Sequence, residues 1–348
     1  MKIKIIMSSI FILLILSLST MPAFGGSNKP RYLWKVATLA PKGVGWARQV
    51  AEIVEPAVTK SSDGNIVLKI FWGGVLGDDE AIITKMKKGK IQSAGLTALG
   101  AMLVAKEFAV LELPFLFRDY NEVDFIRKKM FPVFADFLEK NGFILYLWVD
   151  QDFDQLYSVK SLTKFKDFKN IRFASWHGPL EKRLIMSLEA VAVPTKIPDI
   201  SASIRSGETT ALIAPAIWMV GTQLYSTVRY VNPMKIRYSP AIIIVDKRAW
   251  DAIPRIYKER TAAMRNDLAT RFTANTRKDN QKSLKAMIQY GLNIINMDSQ
   301  SKILIESSTK DIWWEMAGHL YSKKLLNELT GNLEQYRKET ENKKGINK

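Results

Sequence analysis

The stretch IVLKIFWGGVLGDDEAIITKMKKGKIQSAGLTAL, Ile66 to Leu99, decides the fold. It opens on a near-continuous apolar run, Ile66 to Trp72, rich in strand formers. Such a run suits a parallel strand covered on both faces. The glycine-rich FWGGVLG, Phe71 to Gly77, reads as a tight loop from strand to helix, because its spacing is not that of a dinucleotide fingerprint. Asp78, Asp79 and Glu80 favour a helix start through the helix dipole. Lys88-Gly89 ends that helix. Ile91 to Leu99 then reads as a second strand. Strand, helix, strand in this order implies parallel pairing with a crossover helix, hence an α/β fold.

The same grammar extends in both directions. Tyr32 to Ala40 reads as a buried strand, and Trp46, Val50, Ile53, Val54, Ala57 and Val58 recur at helical spacing. Pro56 should kink that helix or limit its regular part. A second α/β unit begins near Gly142 to Asp150, with a short strand at Lys169 to Ala174 and helices at Gly178 to Ala190 and Asp199 to Gly207. The stretch GETTALIAPAIWM, Gly207 to Met219, follows as strand, loop and helix, and it carries no charge from Ala211 onward. Ala241 to Asp246 lacks polar alternation and is expected at the centre of a sheet. Pro254 suits a first helical position. No Gly or Pro then interrupts the chain before Gly291, which predicts a helix of about 50 Å, long enough to run along both domains. The polar, charged tail beyond Gly331 is expected to be exposed or frayed.

A chain of 348 residues fits about two domains. Its formal charge is +17, but the lysines are scattered and no recognition helix or zinc finger appears, so a solvated basic surface is expected rather than a nucleic-acid partner. There is no cysteine, which excludes disulfides, thiolate metal sites and a cysteine nucleophile. At the N-terminus Lys2 and Lys4 precede the apolar Ile5 to Leu18 and the small residues Ala23 and Gly25. This is the pattern of a secretory signal peptide, residues 1–25, cut near Gly25, and it places the mature protein in the periplasm. His177 and His319 lie in no metal motif and are expected at the surface or at a cleft rim. DQDFD, Asp150 to Asp154, lacks the Gly and Glu of a calcium loop and is read as a solvated loop. No catalytic motif is present, and no cofactor is expected. An exported α/β protein without a catalytic constellation reads as a binding protein.

Six segments, WKVATLAPKGVGW, FWGGVLGDDE, KKGKIQSAGLTALG, LELPFLFRDYNEVD, KNIRFAS and AIIIVDKRAWDAIP, occur in one order and spacing. Together they resemble the substrate-binding subunits of tripartite ATP-independent periplasmic (TRAP) transporters, from Tyr32 to the late C-terminal helix. The resemblance implies a two-domain clamshell with long hinge strands, a domain-spanning helix and a small-molecule ligand in the cleft. It also implies membrane permease subunits as partners. The implied domains are discontinuous: 32–149 plus 238–277, then 150–237 plus 278–331, with a charged tail at 332–348.

Members that carry carboxylates use an arginine in a short strand after the first hinge, and Arg172 matches it. The other polar anchors depart. Leu39 stands where such members often hold an asparagine, Thr97 where a glutamate is common, Asp154 near a second arginine, and Ala214 at an asparagine position just before Pro215. Trp46, Phe115, Trp148, Trp176 and Trp218 fall in family cleft loops. The resemblance therefore implies an apolar or amphipathic organic acid, or a lipid-like ligand, with Arg172 at its acidic end. ATLAPKG and GGVLGDDE are similar to a branch associated with a tetratricopeptide-repeat partner and hydrophobic ligands. A receptor for a small polar carboxylate, and an exported lipid-handling scaffold or enzyme, remain as alternatives.

Overall fold

The computed structural model describes residues 31–346; the expected signal segment lies outside them. The strands are β1 (Tyr32–Thr38), β2 (Ile66–Phe71), β3 (Ser93–Leu96), β4 (Phe143–Ser158), β5 (Arg172–Ser175), β6 (Val191–Pro194), β7 (Ala211–Ala214), β8 (Tyr230–Asp246) and β9 (Asn293–Ile294). They form one sheet in the order β2-β1-β3-β8-β4-β7-β5-β6, with β9 beside β8. The opening stretch gives the expected unit: β1 pairs in parallel with both β2 and β3. Its helix, Asp79–Lys87, starts on the Asp78 side chain, which accepts from the Ala81 N–H. The second strand of the unit is shorter than expected. It stops at Leu96, because Thr97 turns to cap the helix Ala98–Val104.

Two long strands carry the architecture. β4 and β8 run antiparallel from Phe143 opposite Asp246 to Ser158 opposite Tyr230, with irregularities at Leu145/Leu147, Asp150/Asp152 and Asp154/Leu156. One end of the pair builds a lobe with β1, β2 and β3, and the other builds a lobe with β5, β6, β7 and β9. The lobes have their own cores. Trp34, Ile53, Leu147 and Phe272 pack in the first, and Tyr157, Ile200, Leu212 and Met287 in the second. A third cluster, containing Phe108, Phe134, Trp148 and Phe173, continues across both.

The helix Arg255–Gln289 is 35 residues long and unbroken. At about 1.5 Å per residue it spans roughly 50 Å. It begins one residue after Pro254 and supplies Phe272 to the first core and Met287 to the second. Around Pro56 the expected interruption takes a specific form. Helix Gly45–Gln49 widens into a π-helical segment, Val50–Val54, before the helix Glu55–Ser61. A proline removes one N–H and crowds the preceding turn, and a π segment absorbs both.

Two expectations are corrected. DQDFD is not a solvated loop. It lies within β4, with Asp150, Asp152 and Asp154 all buried. The tail is not frayed: it belongs to the helix Lys323–Ile346. Leu333 is buried, Tyr336 stacks on Phe125 at 4.5 Å, and Arg337 pairs with Glu122 at 2.7 Å.

Candidate functional site

A cavity of about 520 Å³ opens between the lobes. One wall is the loop after β1 and the first turns of the next helix, carrying Leu39, Val44 and Trp46. The opposite wall is the helix Ala216–Gly221, carrying Ile217, Trp218 and Val220. Hinge residues Gln151 and Ala241 line it, as do Asp279, Lys282 and Ser283 of the long helix. Local structure sets each wall. The Trp46 indole N–H donates to the Asp150 carbonyl at 3.1 Å, and its ring meets Phe272 edge-on at 5.1 Å. Opposite, Asn280 accepts from the Ile217 N–H at 2.9 Å and donates to the Gln151 carbonyl at 3.0 Å. Asn280 thus ties the helix of the second lobe to the hinge.

Behind Trp218 a second space of about 20 Å³ shares Thr97, Gln151 and Trp218 with the main cavity. Trp176 and Pro215 line it, and the Trp176 and Trp218 rings stack at 5.1 Å with planes 18° apart. Asp154, His177, Arg237 and Ser239 form its polar side. Arg237 is buried and donates to Asp154 at 2.5 Å and to Glu181 at 3.0 Å. Ser239 donates to Asp154 at 2.8 Å. Glu181 also accepts from the backbone N–H groups of Trp176 and His177, at 2.8 and 3.0 Å. His177 lies 3.3 Å from Glu112.

These contacts set the proton affinities. Burial pushes the Asp154 carboxyl up, with Arg237 opposing. Burial also acts to raise Glu181, but Arg237, His177 and the backbone N–H groups outweigh it and hold it below its ordinary value. For His177, burial and Arg237 disfavour the charge, yet Glu112 and Glu181 prevail and raise its pKa. At Asp79, burial raises the carboxyl while Thr97, whose hydroxyl donates to it, pulls it down.

The structure brings together Leu39, Trp46, Thr97, Trp176, Pro215 and Trp218 around the two adjoining spaces. It sets four other expected residues apart, and each has a physical reason. Arg172 begins β5 at an exposed position and donates from Nε to the Glu208 carbonyl at 2.5 Å; it lines neither space. Trp148 is buried in the core against Phe134, 5.1 Å away. Phe115 adopts φ +53° and donates from its backbone to Ile236. It lines a separate surface cavity with Trp313 and Arg337. Ala214 is buried in β7 opposite Gln155, one residue short of the wall that Pro215 forms. His177, expected at the surface or a rim, is buried.

Sequence reasoning did not name Gln151, Arg237 or Lys282 as lining residues, did not single out Ile217 within its uncharged stretch, and placed Asp154 only as a departure from a family anchor. The signal for Asp154 was present. Asp150, Asp152 and Asp154 alternate at the two-residue period of a strand. Their partners Arg127, Arg237 and Arg277 are distant in sequence, so their burial left no local trace.

The profile of the bacterial extracellular solute-binding proteins, family 7, matches residues 43–319. The C4-dicarboxylate-binding periplasmic protein DctP of Rhodobacter capsulatus is 22% identical over 278 residues, covering 78% of this chain and 81% of that protein. An uncharacterised protein of Haemophilus influenzae is 23% identical over 210 residues; the match spans 59% of this chain and 62% of that relative's length. Among solved structures, the sugar acid binding protein DctPAm from Advenella mimigardefordensis, in complex with galactonate, superposes with a TM-score of 0.81 at 18% identity. It covers 88% of this chain and 99% of its own.

Proposed function

The chain belongs to the bacterial extracellular solute-binding proteins of family 7, and from that premise we propose that it is a periplasmic receptor for an amphipathic organic acid, delivered to TRAP permease subunits in the membrane. One observation carries the ligand class. Among the described residues, the only arginine lining the inner space is Arg237, and Asp154 and Glu181 already hold it. A carboxylate moved into a buried site without its own cation loses several kcal/mol of hydration. The inner end is therefore unfavourable for an anion, while Leu39, Trp46, Ile217 and Trp218 offer apolar surface. Ligand pockets of this kind use a few polar groups to orient an apolar body.

The acidic end of the ligand then belongs at the mouth. Lys282 is exposed there, and Arg48 stands beside it in a 2.8 Å pair with Asp279. Arg172 has no part in this reading. The receptor closes by rotation of its lobes about β4 and β8, which requires tighter binding to the closed form. A tetratricopeptide-repeat partner rests on sequence likeness alone, and a pull-down with the mature protein tests it.

The ligand test is mass spectrometry of the small molecules that copurify, followed by thermal titration of the emptied protein. Medium-chain carboxylic acids are expected to raise Tm, by the stabilisation of about 2.7 kcal/mol that accompanies a hundred-fold excess over Kd. The R. capsulatus relative is named for C4-dicarboxylates and the A. mimigardefordensis structure holds galactonate. If those polar acids raise Tm and medium-chain acids do not, the amphipathic reading fails.

A further inference from the structure

We infer that the inner end of the cleft, centred on Asp154, is a subsite for a single hydroxyl group, so that the receptor selects a hydroxylated amphipathic acid over its unsubstituted parent. The inference rests on the cleft reading above and adds the chemistry of the ligand's far end. Asp154 is 1% exposed and lines the inner space. Its Oδ2 accepts from Arg237 Nε at 2.5 Å and from Ser239 Oγ at 2.8 Å. Its Oδ1 is buried and has no hydrogen-bond partner in the protein. A buried carboxylate oxygen without a donor costs free energy unless a bound water or the ligand supplies one, and a ligand hydroxyl can take the place of a water.

Size and charge narrow the guest. A space of about 20 Å³ is close to that of one water-sized group. A methyl group would leave Oδ1 unpaired, and a carboxylate would face it with like charge. Of the charged groups lining this space, Arg237 is held by Asp154 and Glu181 and His177 stands against Glu112, so the surroundings do not invite an anion. A hydroxyl serves as donor and acceptor at once, so it matches Oδ1 whether or not that oxygen carries a proton. The entrance also fits. Thr97, Gln151 and Trp218 border both spaces, so an apolar chain lying along Trp218 in the main cavity ends beside the inner space that Asp154 lines.

The experiment is isothermal titration of the emptied wild-type protein with three probes of equal length: a medium-chain monocarboxylic acid, its terminal-hydroxy derivative and the corresponding α,ω-dicarboxylic acid. The hydroxy acid is expected to bind about ten-fold or more tightly than the parent acid, as a hydrogen bond to a charged group supports. The dicarboxylic acid should bind most weakly. Equal affinities for the hydroxy and parent acids overturn the subsite while leaving the amphipathic cleft standing. Tightest binding by the dicarboxylic acid overturns the subsite and the cleft reading together, as does failure of all three probes. Asp154→Asn supplies a second arm. Its amide oxygen keeps the Arg237 contact and its amide N–H₂ takes the place of Oδ1, so the hydroxyl must accept where it donated, in a neutral bond rather than one to a charged group, and the preference for the hydroxy acid should shrink several-fold. A folded Asp154→Asn protein with the full preference also overturns the assignment, and if that variant does not fold, the three wild-type titrations decide alone.

Discussion

Replacing Arg237 with methionine removes the guanidinium that pairs with two buried carboxylates, Asp154 and Glu181. Arg237 is 2% exposed, Asp154 is 1% exposed and Glu181 is fully buried. The substitution keeps an unbranched apolar stem but leaves both acids without their partner. Breaking a buried pair from one side costs about 3–5 kcal/mol, because the remaining charge stays desolvated. At about 2–4 °C per kcal/mol for a domain of this size class, Tm at neutral pH should fall by roughly 10 °C. The loss has a pH signature. The folded protein holds Glu181 below its ordinary value of 4.5, with Arg237 the leading cause against burial. A depressed carboxyl contributes stability above its unfolded pKa and loses it as pH falls through the folded one. Without Arg237 that contribution falls to what His177 and the backbone N–H groups still supply, so the gap between wild type and variant should narrow on acidification below about pH 4.5. Scanning calorimetry of both proteins across pH is the assay. A Tm gap under about 2 °C at neutral pH, less than the shift expected for 1 kcal/mol, or a gap that does not change with pH, refutes the reasoning. The triple variant Arg237→Met, Asp154→Asn, Glu181→Gln should recover part of the loss, since no uncompensated charge remains.

His177, whose charge Glu112 and Glu181 favour against burial, is held above its ordinary 6.5. Its contribution to stability is then fully present below 6.5 and lost as pH rises through the folded value. The Tm advantage of wild type over His177→Gln should therefore shrink as pH rises above about 6.5, and an advantage that grows with pH would contradict the assignment. Gly45 adopts φ +47°, and a Cβ there would stand 2.6 Å from Ile217 Cδ1 on the opposite wall. Gly45→Ala should cost about 1–2 kcal/mol in the empty protein through the left-handed backbone, and should also weaken ligand affinity by opposing closure. Adding Ile217→Ala should relieve the clash and recover only part of the affinity, because the truncation also removes apolar surface from the cavity wall, and it should not restore Tm; titration and melting of both single variants and the double variant separate the two effects.

The α/β class, the long helix and the central apolar strands were legible because each rests on a local periodic signal. The run Ile242–Val245 has no alternation, and it does sit between β3 and β4. The hinge was less legible for two physical reasons. Strand length is set by pairing, and Tyr230–Asp246 contains Asn232, Pro233, Lys235 and Arg237, residues that break an apolar reading. Buried charge is also a tertiary property. Asp150 is matched by Arg127 and Arg277, which approach from the helix Tyr120–Lys140 and from the long helix. The site divided in the same way. Trp46 and Trp218, in loop-to-helix segments, reach the cleft, whereas Trp148 and Ala214, in strands, point into packing. Position in a family loop predicts nearness to a cleft, but the alternation of a strand decides which face a side chain takes.

That alternation also explains how a strand so heavily charged can serve as a hinge. Asp150 is fixed on the side of the first lobe by Arg127, Arg277 and Tyr238, and these arginines hold its carboxyl low despite burial. Asp154 is fixed to Arg237 and Ser239 of β8 and, through Arg237, to Glu181 of the second lobe. Between them Asp152 adopts φ +142°, a region that costs a residue with a Cβ about 1–3 kcal/mol, and the register slips on either side of it. Bulges concentrate bending and twist where ladder hydrogen bonds are already interrupted. The two ion clusters meet on β8, where Tyr238 of the one lies between Arg237 and Ser239 of the other, so a rotation of the lobes is expected to bend β4 around Asp152 without breaking either. The cost of opening then falls on the contacts across the cleft, such as Gly45 against Ile217, rather than on buried charge. The same division places Asp154 Oδ1 on the second-lobe side of the bulge while Leu39 and Trp46 stay on the first. A ligand that touches all three is held fully only when the lobes have closed.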